Sequence, residues 1–511
     1  MHPAVSPSRL APLAALALLT ALAAPAPLAA AAPARRPNVL FFAVDDLRPE
    51  FGAYGANYVK SPHLDRIARA GVTFNRAYCQ QAVCSPTRSS LMTGTRPDTT
   101  KVWDLETHFR TALPNVVTLG QHFKNHGYFV QGMGKIYHGG FDDPATWSVP
   151  WQTPRGPTYA KPENVALTQR NVQAEPDGDR KVKKNSKRAK KEAARGPRGP
   201  AFEAGDVPDN FYQDGKVADL AVSTLREVSR KSEPFFLAVG FIKPHLPFVS
   251  PKKYWDLYDP AKIQLAPNKY RPKDAPDYAI LPGGELRAYH GIPADSIPDD
   301  LARQLKHGYY AAISYMDAQV GKVLDELDRL GLRDNTIVVL WGDHGWKLGE
   351  HDAWCKHSNC ENDTNVALLL SAPGLKQTGV RTNGIVEFVD VYPTLADLAG
   401  LPLPSHLEGM SFKPLLENPQ RAWKQAAFSQ YPRPASGGRP ALMGYAMRTE
   451  RYRFTVWTGR NEPSKIDAIE LYDHQRDPQE NTNLAKLPAH AALVDQLMAQ
   501  WRGGWRAAGP R

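Results

Sequence analysis

The sequence predicts an α/β fold: a large mixed, mostly parallel sheet flanked by helices, with a smaller α+β subdomain at the C-terminal end. Three observations carry this. Short, wholly apolar runs at Asn38–Val44, Phe235–Phe241 and residues 336–341 have the length and composition of parallel strands buried on both faces. Amphipathic helical patterns separate them, as parallel crossovers require. Beyond about residue 418 the pattern changes to short strand-like runs (residues 446–456 and 469–472) and a closing helix over 488–502. At 511 residues the chain supports one large domain over residues 36–418 and a small one over 419–511.

Composition bounds the rest. A content of 42% hydrophobic and 23% charged residues is that of a globular protein. Residues 1–32 differ: Arg9, an Ala/Leu-rich run and small residues near Ala30 to Ala34 read as a signal peptide. Pro12, Pro25 and Pro27 oppose a membrane-spanning helix there, and no other run is long enough, so the expected product is exported, periplasmic or secreted, with no transmembrane segment. The net charge of +11 invites nucleic acid, but its location argues against that partner. Between Arg180 and Arg198 stand ten Lys/Arg and one Glu, a local +9 without apolar periodicity. The basicity therefore belongs to a flexible insertion, residues 152–206, read first as a tolerated surface loop and second as a hold on an acidic polysaccharide or anionic surface. Four cysteines are too few for a disulfide scaffold, although Cys355 and Cys360 are close enough in sequence to bridge.

In chain order, the first strand ends in Asp45-Asp46, where open α/β sheets collect ligand groups. Helix Pro62–Ala70 follows, with Ser61 as cap and Gly71 as stop. The stretch Val83-Cys84-Ser85-Pro86-Thr87-Arg88 opens the next helix, with Ser85 placed to cap, Pro86 in the first turn and Gly94 as a left-handed stop. This puts Cys84 at a helix N-terminus, with Arg88 one turn on along the same face. A helix over 117–125 and a strand over 128–133 deliver Lys135 and His138. A helix over 209–229 and the strand Phe235–Phe241 deliver His245 in a loop stiffened by Pro244 and Pro247. Residues 303–329 form a long amphipathic helix whose Tyr310, Ile313, Met316 and Val320 stripe is core. The strand over 336–341 then ends in Asp343-His344. Two strands with acidic ends make metal ligation the better reading of His344. Lys356 and His357 follow on a polar loop, before a strand over 366–371.

Alone, Cys84 fits an activated thiol nucleophile or a buried structural cysteine. The spacing Cys-x-Pro-x-Arg, followed by Thr93-Gly94, is narrower. It resembles the signature read by a formylglycine-generating enzyme in type I sulfatases of the alkaline-phosphatase-like superfamily. Residues 38–46, 80–94, 134–138, 243–248 and 343–351 match that family's motifs in order, and the iduronate-2-sulfatase-like branch fits best. Glu470-Leu471-Tyr472-Asp473 and Asp477-Pro478-Gln479-Glu480 resemble its C-terminal subdomain. The resemblance runs from Asn38 to Leu484, interrupted by the basic stretch.

The resemblance implies one calcium ion held by Asp45, Asp46, the modified Cys84, Asp343 and His344. Many sulfatases have asparagine at the position of His344; the iduronate branch has histidine. It implies formylglycine (3-oxoalanine) at position 84, whose hydrate offers one hydroxyl to attack sulfur and a second to expel sulfate. Arg88, Lys135 and Lys356 then neutralise charge with the metal, His138 takes the second hydroxyl's proton, and His245 or Lys356 protonates the departing sugar oxygen. Trp346 and His357 are the expected substrate-binding residues, with core packing an equal reading of Trp346. His357 stands where the human-type iduronate enzyme has tyrosine, and Cys355 and Cys360 also depart from that pattern, which bears on the sugar rather than the reaction. The expected substrate is a sulfated glycan ending in a 2-O-sulfated uronic acid, with another sulfated polysaccharide second. A phosphatase or phosphodiesterase on the same fold is disfavoured by Cys84 and by one metal cluster rather than two. A non-catalytic polyanion-binding protein is disfavoured by the complete set of site residues.

Overall fold

The computed structural model describes residues 36–173 and 198–510, besides Met1 and Ala4. The leader and most of the basic run thus lie outside the described residues. Numbering the strands of the two large sheets in chain order, the central sheet holds Asn38–Val44 (β1), Val72–Phe74 (β2), Phe129–Gly134 (β3), Phe235–Phe241 (β4), Thr336–Gly342 (β5), Leu368–Ser371 (β6) and Val380–Thr382 (β7). Their order across the sheet is β7-β2-β6-β5-β1-β4-β3. Neighbours β3, β4, β1 and β5 run parallel; β6 alone is reversed, and β2 and β7 return to the common direction.

β1 lies near the middle and every residue of it is buried. Its alternating side chains serve two cores. Leu40, Phe42 and Val44 join the core that includes Tyr310, Ile313, Met316 and Val320. Val39, Phe41 and Ala43 join the core on the other face, with Val391, Tyr392 and Leu395. This is why the strand carries no polar residue after Asn38, whose Oδ1 accepts the Phe235 N–H at 3.1 Å. The helices used below are Pro62–Ala70 (α1), Cys84–Thr93 (α2), Gln213–Val228 (α3), Asp299–Arg329 (α4), Val391–Leu398 (α5) and Ala491–Ala507 (α6). The stripe predicted on α4 is core, as expected.

The C-terminal sheet is antiparallel, in the order Ala426–Arg433 (β8), Leu442–Thr449 (β9), Tyr452–Gly459 (β10) and Ile466–Asp473 (β11). The single run expected over 446–456 is two strands. Their tight turn is closed by Thr449, whose hydroxyl accepts the Tyr452 N–H at 2.9 Å, so no glycine or proline marks it. Leu497 and Met498 of α6 pack on Phe454, Val456 and Leu471. The sheet is tied to the first part of the chain through β8, where Gln430 N–H donates to the Gln80 carbonyl at 2.8 Å. The Arg448–Glu361 ion pair at 2.8 Å does the same, as does Glu480, which accepts the Glu361 N–H at 3.1 Å.

The stretch read as an insertion is built into the fold at both flanks. Helix Pro162–Gln173 precedes the basic run, and Arg198–Pro200 and Phe202–Gly205 follow it as strands paired with Tyr289–His290 and Phe248–Pro251. Composition dominated by the basic run hid this.

Candidate active site

Because β1, β3, β4 and β5 are parallel, their carboxyl ends share one edge of the sheet. Asp45-Asp46, Lys135, His245 and Asp343-His344 therefore converge from four strands. Helix α2 brings the fifth component. Its cap position is Val83 (φ −161°, ψ 146°), not Ser85, so Cys84 is the first helical residue, and Gly94 at φ 68° ends the helix. The whole of α2 is buried, which holds Cys84 and Arg88 rigidly against the sheet end.

Cys84 Sγ lies 3.4 Å from Asp45 Oδ1, 3.3 Å from His344 Nε2 and 3.7 Å from Lys135 Nζ. The ligand atoms of Asp45, Asp46, Cys84 and His344 all lie within 4.8 Å of one another, and all four residues are buried. Asp343 adjoins them, its Oδ1 3.4 Å from His344 Nε2. That oxygen also accepts the Asp46 and His344 N–H groups at 3.0 Å each. Three carboxylates and one imidazole around a buried point are an oxygen-rich donor set that fits a hard divalent cation. Sγ marks the place that the oxygens of a formylglycine at position 84 would take.

Cations surround this cluster. Arg88 Nε donates to Asp343 at 2.9 Å, and Nη1 donates to the carbonyls of Lys135 and Ile136. Lys135 pairs with Asp45. Lys356 Nζ reaches both oxygens of Asp46, at 3.0 and 3.1 Å. Burial works against ionisation of Asp45, yet Lys135, His245, Arg88 and Lys356 together hold it well below the usual carboxylate range. At Asp46 burial wins over Lys356 and His245, and the pKa is raised. Burial, and then the Asp45 charge, push the Cys84 thiol well above the ordinary thiol range. Burial and the neighbouring carboxylate thus work against the activated-thiolate reading of an unmodified Cys84.

His138 and His245 face the cavity over the cluster. The Nδ1 of His138 is buried without a hydrogen-bond partner, and burial with the nearby Lys135 charge lowers its pKa to about 3, so the ring is neutral. His245 is oriented at both nitrogens, with Nδ1 2.6 Å from the Leu246 carbonyl and Nε2 3.0 Å from Glu285. Against burial, the carboxylates of Asp46, Asp45 and Glu285 raise its pKa.

The cavity is about 1380 Å³, and Cys84, Lys135, His138, His245, Lys356 and His357 line it. His357 has φ +89°, and burial with Lys356 lowers its pKa to about 3. Two open points are answered by the geometry. Trp346 is fully buried in the core, outside the cavity lining, with Lys356 Nζ 4.9 Å from its ring centroid; it supports a site lysine instead of walling a pocket. Cys355 and Cys360 are unbridged, the former with its thiol 3.3 Å from the Leu281 carbonyl and the latter beside Arg453.

Sequence reasoning missed two carboxylates. Glu285 pairs with both Lys356 and His245. Asp214, on α3, accepts the N–H groups of Ile242 and Lys243 at 2.9 and 2.7 Å and so fixes the loop that carries His245. The Gly283-Gly284 pair was the one available signal for Glu285. Gly283 sits at φ +92°, and a Cβ there would stand 2.6 Å from the Trp354 carbonyl oxygen.

Comparison with known proteins gives a coherent result. A family model described as Sulfatase matches residues 37–401, and one described as N-sulphoglucosamine sulphohydrolase, C-terminal, matches residues 349–503. The chain is 34% identical to iduronate 2-sulfatase of Homo sapiens over 90% of this chain and 93% of that protein. A structure solved in complex with its substrate D-glucosamine-2-N,6-O-disulfate superposes with a TM-score of 0.71 at 21% identity, covering 93% of this chain and 98% of that one. A 2-O GAG sulfatase superposes with a TM-score of 0.68 at 23% identity, covering 92% of each chain.

Proposed function

Since the chain belongs to the sulfatase family and is by that membership a sulfuric ester hydrolase, we propose that it removes sulfate from a sulfated glycan, its target a terminal 2-O-sulfated uronic acid. The observation that carries this reading is the position of Cys84: the residue that bears the Cys-x-Pro-x-Arg signature stands inside the Asp45, Asp46, His344 cluster, with Lys135 and Arg88 on it. The reading includes export from the cell and maturation by a formylglycine-generating enzyme. The size of the cavity supports a second substrate reading, a longer sulfated polysaccharide, because about 1380 Å³ exceeds what one sugar ring fills.

Asp45, Asp46, Asp343, His344 and residue 84 would hold a calcium ion, which supplies positive charge opposite the sulfate oxygens. Formylglycine supplies, as its hydrate, the oxygen nucleophile that a buried thiol does not. The remaining work falls to this chain's own side chains. Lys135, Arg88 and Lys356 place three positive charges around the sulfuryl oxygens at the largely buried floor of the cavity, where each interaction is strengthened. His138, neutral and with a free nitrogen, accepts a proton at residue 84. His245, whose Nε2 is held 3.0 Å from Glu285, or Lys356 protonates the alcohol oxygen as the S–O bond breaks.

The test is mass spectrometry of the tryptic peptide 77–88 from protein made in its native host, paired with assays of an aryl sulfate and an aryl phosphate. The expected outcome is formylglycine at position 84, unmodified Cys79 in the same peptide, preference for the sulfate, and loss of turnover on chelation with recovery on adding Ca²⁺. Cysteine at both positions in active protein would sink the reading.

A further inference from the structure

We propose that Glu285 is a positioning residue for departure of the alcohol, a carboxylate that gathers Lys356 and His245 on one side of the cavity; this rests on the sulfatase reading above. Its Oε2 accepts from Lys356 Nζ at 2.9 Å and its Oε1 accepts from His245 Nε2 at 3.0 Å. Asp46 meets the same two groups from the buried side, at 3.0 Å from Lys356 and 3.9 Å from His245. Lys356 and His245 are thus clamped between a fully buried carboxylate and one that lines the cavity.

The backbone is arranged to deliver this carboxylate. Gly283 packs against the carbonyl of Trp354 and the side chain of Cys355, immediately before Lys356, where no Cβ fits. From the other side, Arg198 Nη1 donates to the Glu285 carbonyl at 3.1 Å, and its guanidinium lies 5.1 Å from the Tyr289 ring centroid. The short strands Arg198–Pro200 and Tyr289–His290 pair across this point. Glu285 is therefore fixed by two separate parts of the chain.

A carboxylate in a cavity that receives a sulfate ester repels its own substrate, so one with no role there is a cost. Here its charge is taken up by the Lys356 ammonium and by the N–H of His245. As the S–O bond to the alcohol breaks, the electron pair stays on the alcohol oxygen and the sulfuryl group passes to the oxygen at position 84. A proton moves from Lys356 or His245 to the alcohol oxygen. Glu285 touches none of the reacting atoms and decides where the proton donor stands.

The test uses the full chain carrying formylglycine, with 4-nitrophenyl sulfate and phenyl sulfate as probes. Phenol is the weaker acid, so its departure depends more on protonation. In Glu285→Gln, kcat/KM for phenyl sulfate is expected to fall about 10- to 100-fold further than kcat/KM for 4-nitrophenyl sulfate, a fraction of a whole general-acid contribution. Glu285→Asp, which keeps the charge, is expected to recover part of the ratio. Should the Gln variant fail to fold, a ratio below wild type in the Asp variant supports the proposal and an unchanged ratio overturns it. A purely structural role predicts equal losses on both probes and overturns it too. If the wild type hydrolyses neither probe despite formylglycine at position 84, the sulfatase reading falls and takes this inference with it. If the wild type hydrolyses both and the ratio does not move, only the inference falls.

Discussion

At Cys84 two opposing influences meet, and their sizes decide the chemistry. The helix N-terminus and Arg88 favour a thiolate, by about 0.3–1 kcal/mol for the dipole at an exposed site and somewhat more when buried. Complete desolvation and the Asp45 carboxylate 3.4 Å away oppose it and win, raising the thiol's pKa. A sulfur nucleophile is thus disfavoured by the same burial that suits a neutral hydrated aldehyde bound beside a cation. Trp346 shows a second reversal at this scale. Its ring lies under Lys356 and its Nε1 has no hydrogen-bond partner, so the side chain is retained for its face and not for its N–H. Trp346→Phe keeps a weaker π-face and opens a small void, and stability is expected to drop by about 1–2 kcal/mol in denaturant unfolding. Steady-state kinetics on an aryl sulfate are expected to show the loss in kcat, with KM within about twofold. A raised KM at constant kcat would restore Trp346 to the substrate pocket.

Elements were legible where burial on both faces forced an unbroken apolar run. β1, β4 and β5 are such strands, and the acids at the ends of β1 and β5 could be read directly from where those runs stop. β8 was not legible, because Ala426–Arg433 mixes polar residues with Pro432 and follows no strict alternation. Glu285 was hidden for a different reason: its four-residue helix has too few turns for a periodic signal. Asp214 lies among ordinary helical acids, and only tertiary packing turns it toward the backbone after β4. Burial raises its pKa from 3.8 to about 6, ahead of the opposing N–H bonds from Ile242 and Lys243. The folded state therefore holds this proton more tightly than the unfolded one. The resulting stabilisation is complete below about pH 3.8 and is lost as pH rises through about 6. Asp214→Asn removes the titration while keeping one acceptor. Between pH 4 and pH 7 the stability difference is expected to move in favour of the Asn variant by about 2 kcal/mol, read from urea unfolding at the two pH values. A constant difference would show that the carboxylate titrates normally.

For the whole molecule, charge is divided between two places with different consequences. The positive groups in the cavity face three buried carboxylates of the cluster and a fourth at Glu285, and are locked in pairs at about 3 Å. The other excess, within Arg180 to Arg198, has one acid among ten bases, so within the run little of its charge is offset, and salt screens it over a Debye length of about 8–10 Å. A field of that kind collects polyanions and raises the rate of encounter without taking part in bond breaking. Its flanks belong to the fold: Glu203 accepts the Ala160 and Lys161 N–H groups at the start of helix Pro162–Gln173, and Arg198 fixes Glu285. Replacing the nine Lys and Arg of residues 180–195 with Ser separates the two roles, because it spares both flanks. Turnover of 4-nitrophenyl sulfate is expected to stay within about twofold of wild type, since a small monoanion gains little from steering at physiological salt. Elution from a heparin column is expected at lower salt, and the salt dependence of kcat/KM on a sulfated polysaccharide is expected to flatten. Unchanged heparin retention would assign polyanion binding to the cavity alone. Loss of aryl sulfate turnover would instead make the basic run part of the reaction site.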